Sequence, residues 1–142
     1  MLPGLTKVSA GALLLFGLAS IQAAPQTRDR DDPGWYQSRD TFYKEQGWRM
    51  RFFDRVREDL NRVQSKSFSQ GDEYRIEQTK QELTDLQSKL GAGKYDEPEL
   101  DSVIGALGKV VADNRLVTRD REVLNDDLSR MRDYRDHHDN WR

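Results

Sequence analysis

The most regular feature of this sequence is a helical spacing of apolar residues over positions 97–113. Six apolar residues recur there at successive intervals of one or three positions: Leu100, Val103, Ile104, Leu107, Val110 and Val111. This spacing places all six on one face of an α-helix. Narrower stripes of the same period run over 72–90 and 118–138, and no segment alternates apolar and polar residues as a strand does. The sequence therefore predicts an all-α fold.

A fourth helix is predicted over 35–64, where aromatic residues are concentrated. Trp48, Phe52, Phe53, Val56, Leu60 and Val63 form its apolar stripe. Arg49 projects into the middle of that stripe, directly after Gly47. Either a new helix begins near Gly47, or the aliphatic stem of Arg49 crosses the core and its guanidinium reaches an edge.

Short connections join the predicted helices 35–64, 72–90, 97–113 and 118–138. We therefore expect one all-helical domain over 35–142: a small antiparallel bundle of about four helices with coiled-coil-like seams. The narrow stripes also allow an elongated hairpin or a homo-oligomer. Asp96 and Thr118 are the predicted N-caps of the third and fourth helices.

A strip of small residues lies beside the apolar stripe of the third helix. Gly105, Gly108 and Ala112 form this strip. Each glycine costs a helix about 1 kcal/mol relative to alanine. The glycines are explained either by the close approach of another helix or by tolerance of glycine at a solvated surface.

Residues 1–23 have the pattern of a secretory signal peptide. Lys7 supplies the positive charge, an apolar run follows, and Ile21 and Ala23 occupy the positions read by a signal peptidase. The alternative is an uncleaved anchor, since positions 8–24 carry no charge. We expect cleavage after Ala23, a flexible charged leader over 24–34, and no stable membrane span afterwards.

The charge balance argues against nucleic acid as a partner. Removal of Lys7 with the signal peptide leaves 22 of the 23 Lys and Arg residues against 25 Asp and Glu, so the formal charge becomes −3. Proteins that bind polyanions depend on an excess of Lys and Arg. The predicted partner is therefore an envelope or secreted protein, or a second copy of this chain.

The sequence contains none of the common catalytic patterns. It has no cysteine, and thus neither a thiolate nucleophile nor a cysteine-based metal site. It has no G-x-S-x-G, no H-E-x-x-H and no phosphate-binding loop. We therefore predict no catalytic residues, no cofactor and no enzymatic activity. The absence of both cysteines and N-glycosylation acceptors suits export in a bacterium, to the periplasm or the medium.

Two candidate sites remain. On a continuous helix Asp133 and His137 share a face at a spacing of four and could supply two ligands to a divalent metal, although a usable site needs three or four ligands. Trp35, Tyr36 and Tyr43 precede the regular apolar stripe, so they are candidates for a protein-binding surface.

Residues 83–87 resemble a motif of small periplasmic stress chaperones. The segment Leu83-Thr84-Asp85-Leu86-Gln87 matches the L-T-x-x-Q pattern of that family. The family's motif opens a helix, whereas Thr84 lies within the predicted second helix, so no residue role is transferred. The resemblance implies an ATP-independent chaperone or stress sensor as the alternative to a protein acting through protein–protein contacts. A metal-responsive protein is the second alternative.

Overall fold

A computed structural model describes residues 33–141, and every regular element among them is helical. The predicted signal peptide and residues 24–32 of the predicted leader lie outside this range. The described residues divide into two units between positions 46 and 47. A single domain over 35–142 stays a prediction. Within the described range, no helix combines the length and apolar character needed to cross a bilayer.

The described residues form five α-helices, one more than the sequence predicts. The first unit contributes α1 (Pro33–Lys44). The second unit contains α2 (Phe52–Gln64), α3 (Gln70–Gly91), α4 (Glu97–Asp113) and α5 (Thr118–His137), with 3-10 turns at Trp48–Arg51 and His138–Asn140.

The extra helix arises because the predicted helix 35–64 is divided at Gly47. Gly47 has φ of 79°, a left-handed conformation that glycine adopts without the steric penalty of a Cβ atom. The turn Trp48–Arg51 follows, and α2 begins at Phe52. The helix therefore starts afresh after Gly47, which corrects the prediction of one continuous helix.

The helix ends are set by local capping. Ser69 Oγ accepts a hydrogen bond from the Asp72 backbone N–H at 3.1 Å, so α3 begins earlier than predicted. Asp96 caps α4 as expected, accepting from the Glu99 N–H at 3.0 Å. The predicted cap at Thr118 is wrong: Thr118 is already helical, and Val117 occupies the cap position without a side-chain bond.

The predicted apolar stripes supply the core of the second unit. The buried side chains of that unit's core are Phe52, Val56, Leu60, Val63, Ile76, Leu83, Leu86, Leu100, Val103, Ile104, Leu107, Val110, Val123, Leu124, Leu128 and Met131. Burial of these residues provides the main driving force for folding of such a highly charged chain.

Polar pairs join neighbouring helices outside this core. Between α2 and α3, Lys80 Nζ donates to Gln64 Oε1 at 2.7 Å. Lys89 Nζ lies 2.7 Å from Asp96 Oδ2, and this contact raises the pKa of Lys89 and lowers that of Asp96. Lys66 Nζ, in the loop after α2, lies 2.7 Å from Asp120 Oδ2 of α5.

The glycines of α4 have open space around them. A Cβ atom added at Gly105 or Gly108 would meet nothing within 4 Å in the described part of the chain. No other described helix therefore packs closely against these glycines. Close approach to a partner and surface tolerance remain as explanations.

We expect Gly105→Ala and Gly108→Ala each to raise the free energy of unfolding by about 0.5–1 kcal/mol, because alanine lowers the entropy of the unfolded chain and meets no obstacle. Urea denaturation of both variants checks this. Gly93→Ala is the matched control: at φ of 81° it should destabilise. Destabilisation by both α4 substitutions would contradict the open surface.

Candidate functional site

Aromatic rings converge at the end of the second unit where α2 begins and α5 ends. This aromatic cluster consists of Trp48, Phe52, Phe53, Tyr134 and Trp141. The centroids of contacting rings lie 5.1–6.0 Å apart. Examples are Trp48–Trp141 at 5.6 Å and Phe53–Tyr134 at 5.3 Å. Most pairs meet edge to face, the arrangement that aromatic quadrupoles favour.

An open groove of about 550 Å³ adjoins the aromatic cluster. Its walls come from three places in the sequence: the turn before α2, the end of α3 and the end of α5. It is lined by Arg49, Met50, Phe53, Asp54, Gln87, Leu90, Gly91, Tyr134, His138 and Trp141. Met50 at its rim is 76% exposed, the highest value among the large apolar side chains that the structure describes as exposed. We refer to this feature as the aromatic groove.

Stacked guanidinium groups flank the indoles. The Arg49 Cζ atom lies 4.7 Å from the ring centroid of Trp48 and 5.3 Å from that of Trp141. A second guanidinium, that of Arg130, lies 4.9 Å from Trp48. Such cation–π contacts hold an arginine side chain in one orientation. Arg49 thus presents a positive charge beside an apolar surface.

A chain of hydrogen bonds forms one polar wall of the groove. Arg57 Nη2 donates to Gln87 Oε1 at 2.7 Å, and Gln87 Nε2 donates to Asp54 Oδ1 at 2.8 Å. Arg57 Nη2 also donates to Thr84 Oγ1 at 2.9 Å. Thr84 and Gln87, the polar residues of the L-T-x-x-Q match, therefore join α3 to α2. Leu83 and Leu86 are buried in the core.

Tyr95 and His138 extend the aromatic surface. Their rings stack at 3.7 Å with an interplanar angle of 5°, and Tyr95 lies 6.0 Å from Tyr134. Burial, together with a hydrogen bond to Glu97, raises the pKa of Tyr95 to about 12. Burial also raises the pKa of Tyr134.

We expect a tyrosine that ionises near pH 12. Because folding raises the Tyr95 pKa from 10.0 to about 12, its contribution to stability is complete below pH 10 and is lost as the pH rises through 12. Tyrosinate absorbance should lose this late transition in Tyr95→Phe and retain it in Tyr74→Phe, which changes an exposed tyrosine. If Tyr95→Phe instead removed a tyrosine transition near pH 10 and kept the one near pH 12, the assignment of the late transition to Tyr95 would be contradicted.

The residues proposed from sequence as a partner surface lie on α1, in the first unit. Tyr36 is buried, while Trp35 and Tyr43 are half-buried. Trp35 and Tyr36 meet edge to face at 5.0 Å, and the guanidinium of Arg39 lies 5.0 Å from the Tyr43 ring. A partner surface at these three residues stays a prediction.

The two candidate metal ligands are neighbours on the surface of α5. His137 Nδ1 lies 3.1 Å from Asp133 Oδ1, and both side chains are more than half exposed. His138 faces a different direction, towards Tyr95. Across residues 33–141, no group of three or more His, Cys, Asp or Glu side chains is arranged to hold a metal. Binding by this pair alone stays a prediction.

We also compared the chain with proteins already known. It matches no protein family, no curated protein and no solved structure. The aromatic groove is therefore interpreted from its own chemistry.

Only part of the groove could be predicted from the amino-acid sequence. The sequence places Arg49 in the middle of an aromatic stripe, and the contacts of its guanidinium with the two indoles explain this position. Trp141 carried no periodic signal, because it lies beyond α5 after a 3-10 turn. The candidate sites predicted from sequence do not include His138.

Proposed function

We propose that this chain is an exported, non-enzymatic helical protein of a bacterial envelope that binds another protein through the aromatic groove. The observation that carries this proposal is the open groove itself, with aromatic walls, a stacked arginine and an exposed methionine. Aromatic residues, Met and Arg are the residue types enriched in protein–protein interfaces.

The remaining parts of the proposal rest on the sequence. The pattern of residues 1–23 supports export, to the periplasm or the medium, with removal of the signal peptide. The lack of catalytic motifs supports a role in binding instead of catalysis. The partner is an envelope or secreted protein or a second copy of this chain.

We further propose that the second unit is an antiparallel four-helix bundle. Three polar pairs support this arrangement because each joins the start of one helix to the end of the next. Asp54 near the start of α2 accepts a hydrogen bond from Gln87 near the end of α3. Similar pairs are Arg75–Asn114 between α3 and the end of α4, and Asp101–Arg135 between α4 and α5.

Co-purification after crosslinking in the natural host tests the function. We compare the unchanged chain with Met50→Glu, which adds a charge at the groove rim, and with Asn125→Glu, which adds the same charge at an exposed position of α5. We expect Met50→Glu to lose the main crosslinked partner and Asn125→Glu to keep it. Equal recovery by all three proteins would contradict a role for the groove.

A further inference from the structure

The hydrogen-bonding edge of Arg49 is available to a ligand. Its Cζ atom lies over the rings of Trp48 and Trp141, which are nearly perpendicular to each other, and its N–H groups donate to no acceptor among residues 33–141. No carboxylate within residues 33–141 lies within ion-pair distance of Arg49. A guanidinium edge matches a carboxylate, which can accept two parallel hydrogen bonds.

A second donor lies in the same wall of the groove. Trp141 Nε1 is buried and has no acceptor among the residues that the structure describes. An indole N–H can only donate, so a ligand that satisfies it must carry an acceptor. The Trp141 ring also contacts Arg49. Because this indole nitrogen is buried, it is the exposed Arg49 that favours a negatively charged group at this end of the groove.

The rest of the lining favours apolar side chains. Met50, Phe53 and Leu90 offer apolar surface. Asp54, the acidic residue of the lining, already accepts a hydrogen bond from Gln87. The groove is open to solvent, so a chain can lie along it without threading through a closed tunnel.

We propose that the aromatic groove binds an extended internal segment of a partner protein in which a Glu or Asp side chain stands beside a bulky apolar residue. The carboxylate pairs with the Arg49 edge, and the apolar side chain packs against Met50 and Phe53. This inference rests on the proposed function, because it names the partner chemistry of the same groove. At its own end of the groove the charge of Arg49, unmatched by any described carboxylate, favours an acidic side chain over a basic one, whereas Asp54 lines the wall formed with Gln87.

Peptide titrations against the purified chain in its natural processed form test the proposal. The probe is an eight-residue peptide with blocked ends that contains Leu-Glu-Phe, and binding is followed by tryptophan fluorescence and calorimetry. Matched peptides replace Glu with Gln or Lys, or both apolar residues with Ala. We expect the Gln peptide to bind about tenfold more weakly, since it loses a charge-assisted hydrogen bond. The Lys and Ala peptides should bind more weakly still.

Arg49→Gln completes a double-mutant cycle with the Glu and Gln peptides. We expect it to weaken binding of the Glu peptide about tenfold and to change binding of the Gln peptide by no more than about twofold. Arg132→Gln removes an equal charge at an exposed position of α5 outside the groove, and should leave both affinities unchanged. Circular dichroism melts establish that each variant is folded.

Met50 supplies a test that does not depend on altering the stacked arginine. Met50→Lys should strengthen binding of the Glu peptide at low salt and Met50→Glu should weaken it, with both shifts shrinking as salt is added.

Equal binding of the Glu, Gln and Lys peptides, or no binding at millimolar concentration, would overturn the inference. If the peptides fail but Met50→Glu still abolishes partner crosslinking, the proposed function stands without this partner chemistry. If both tests fail, both proposals fall.

Discussion

Replacing Phe52 with alanine is expected to lower the free energy of unfolding by about 3–5 kcal/mol, the range for aromatic truncations in protein cores. Phe52 is 0% exposed and is the first residue of α2. Its ring lies 5.1 Å from that of Phe53, 5.9 Å from Trp48 and 6.0 Å from Trp141. Truncation therefore removes buried area and the support of the aromatic cluster at once.

Urea denaturation followed by circular dichroism measures this loss. Phe68→Ala is the matched control, because Phe68 lies between α2 and α3 and is 62% exposed. We expect it to change stability by no more than about 0.5 kcal/mol. A loss below about 1 kcal/mol for Phe52→Ala would mean that the cluster is not packed as described.

Asn114→Ala is expected to cost about 2–3 kcal/mol, because a buried side chain that makes two hydrogen bonds is removed. Asn114 is 3% exposed at the end of α4. Its Nδ2 donates to the Asp72 carbonyl at 3.0 Å, and its Oδ1 accepts from Arg75 Nε at 2.6 Å. The adjacent Arg115 N–H donates to Asp72 Oδ2 at 3.2 Å. Asn114 thus joins the end of α4 to the start of α3.

The control for Asn114 is Asn125→Ala, at an exposed position of α5. Thermal and urea unfolding give the free energy of unfolding of each variant. The value for Asn114→Ala should be lower than that for Asn125→Ala by most of the expected cost. Asn114→Asp is a further variant, since it keeps the acceptor for Arg75 but loses the donor to the Asp72 carbonyl. An Asn114→Ala protein as stable as Asn125→Ala would contradict a structural role for this buried amide.

The sequence predicted the helices of this protein better than the connections between them. The stripes of apolar residues at helical spacing located α3, α4 and α5, since amphipathic helices bury one face. From sequence Asn114 is only the residue after the predicted helix 97–113, because its partners Asp72 and Arg75 lie about forty positions away. The break at Gly47 could not be decided from apolar spacing, because both alternatives keep the same stripe.

Most of the groove could not be predicted from the sequence, because its lining residues are far apart along the chain. It combines Arg49, Gln87 and Trp141, which come from three distant segments. Composition marks Trp and Arg as interface residues, but only tertiary structure brings these side chains together. The surface predicted at Trp35, Tyr36 and Tyr43 lies in the other unit, so the two surfaces can be tested separately.

The central claim is that this protein works by binding a partner at the aromatic groove. A photoreactive amino acid placed at position 50 in the living host, and in parallel at position 125, tests it on a single gel. We expect a discrete adduct, formed on illumination, at position 50 and not at position 125. Adducts of equal intensity at both positions, or none at position 50, would contradict it.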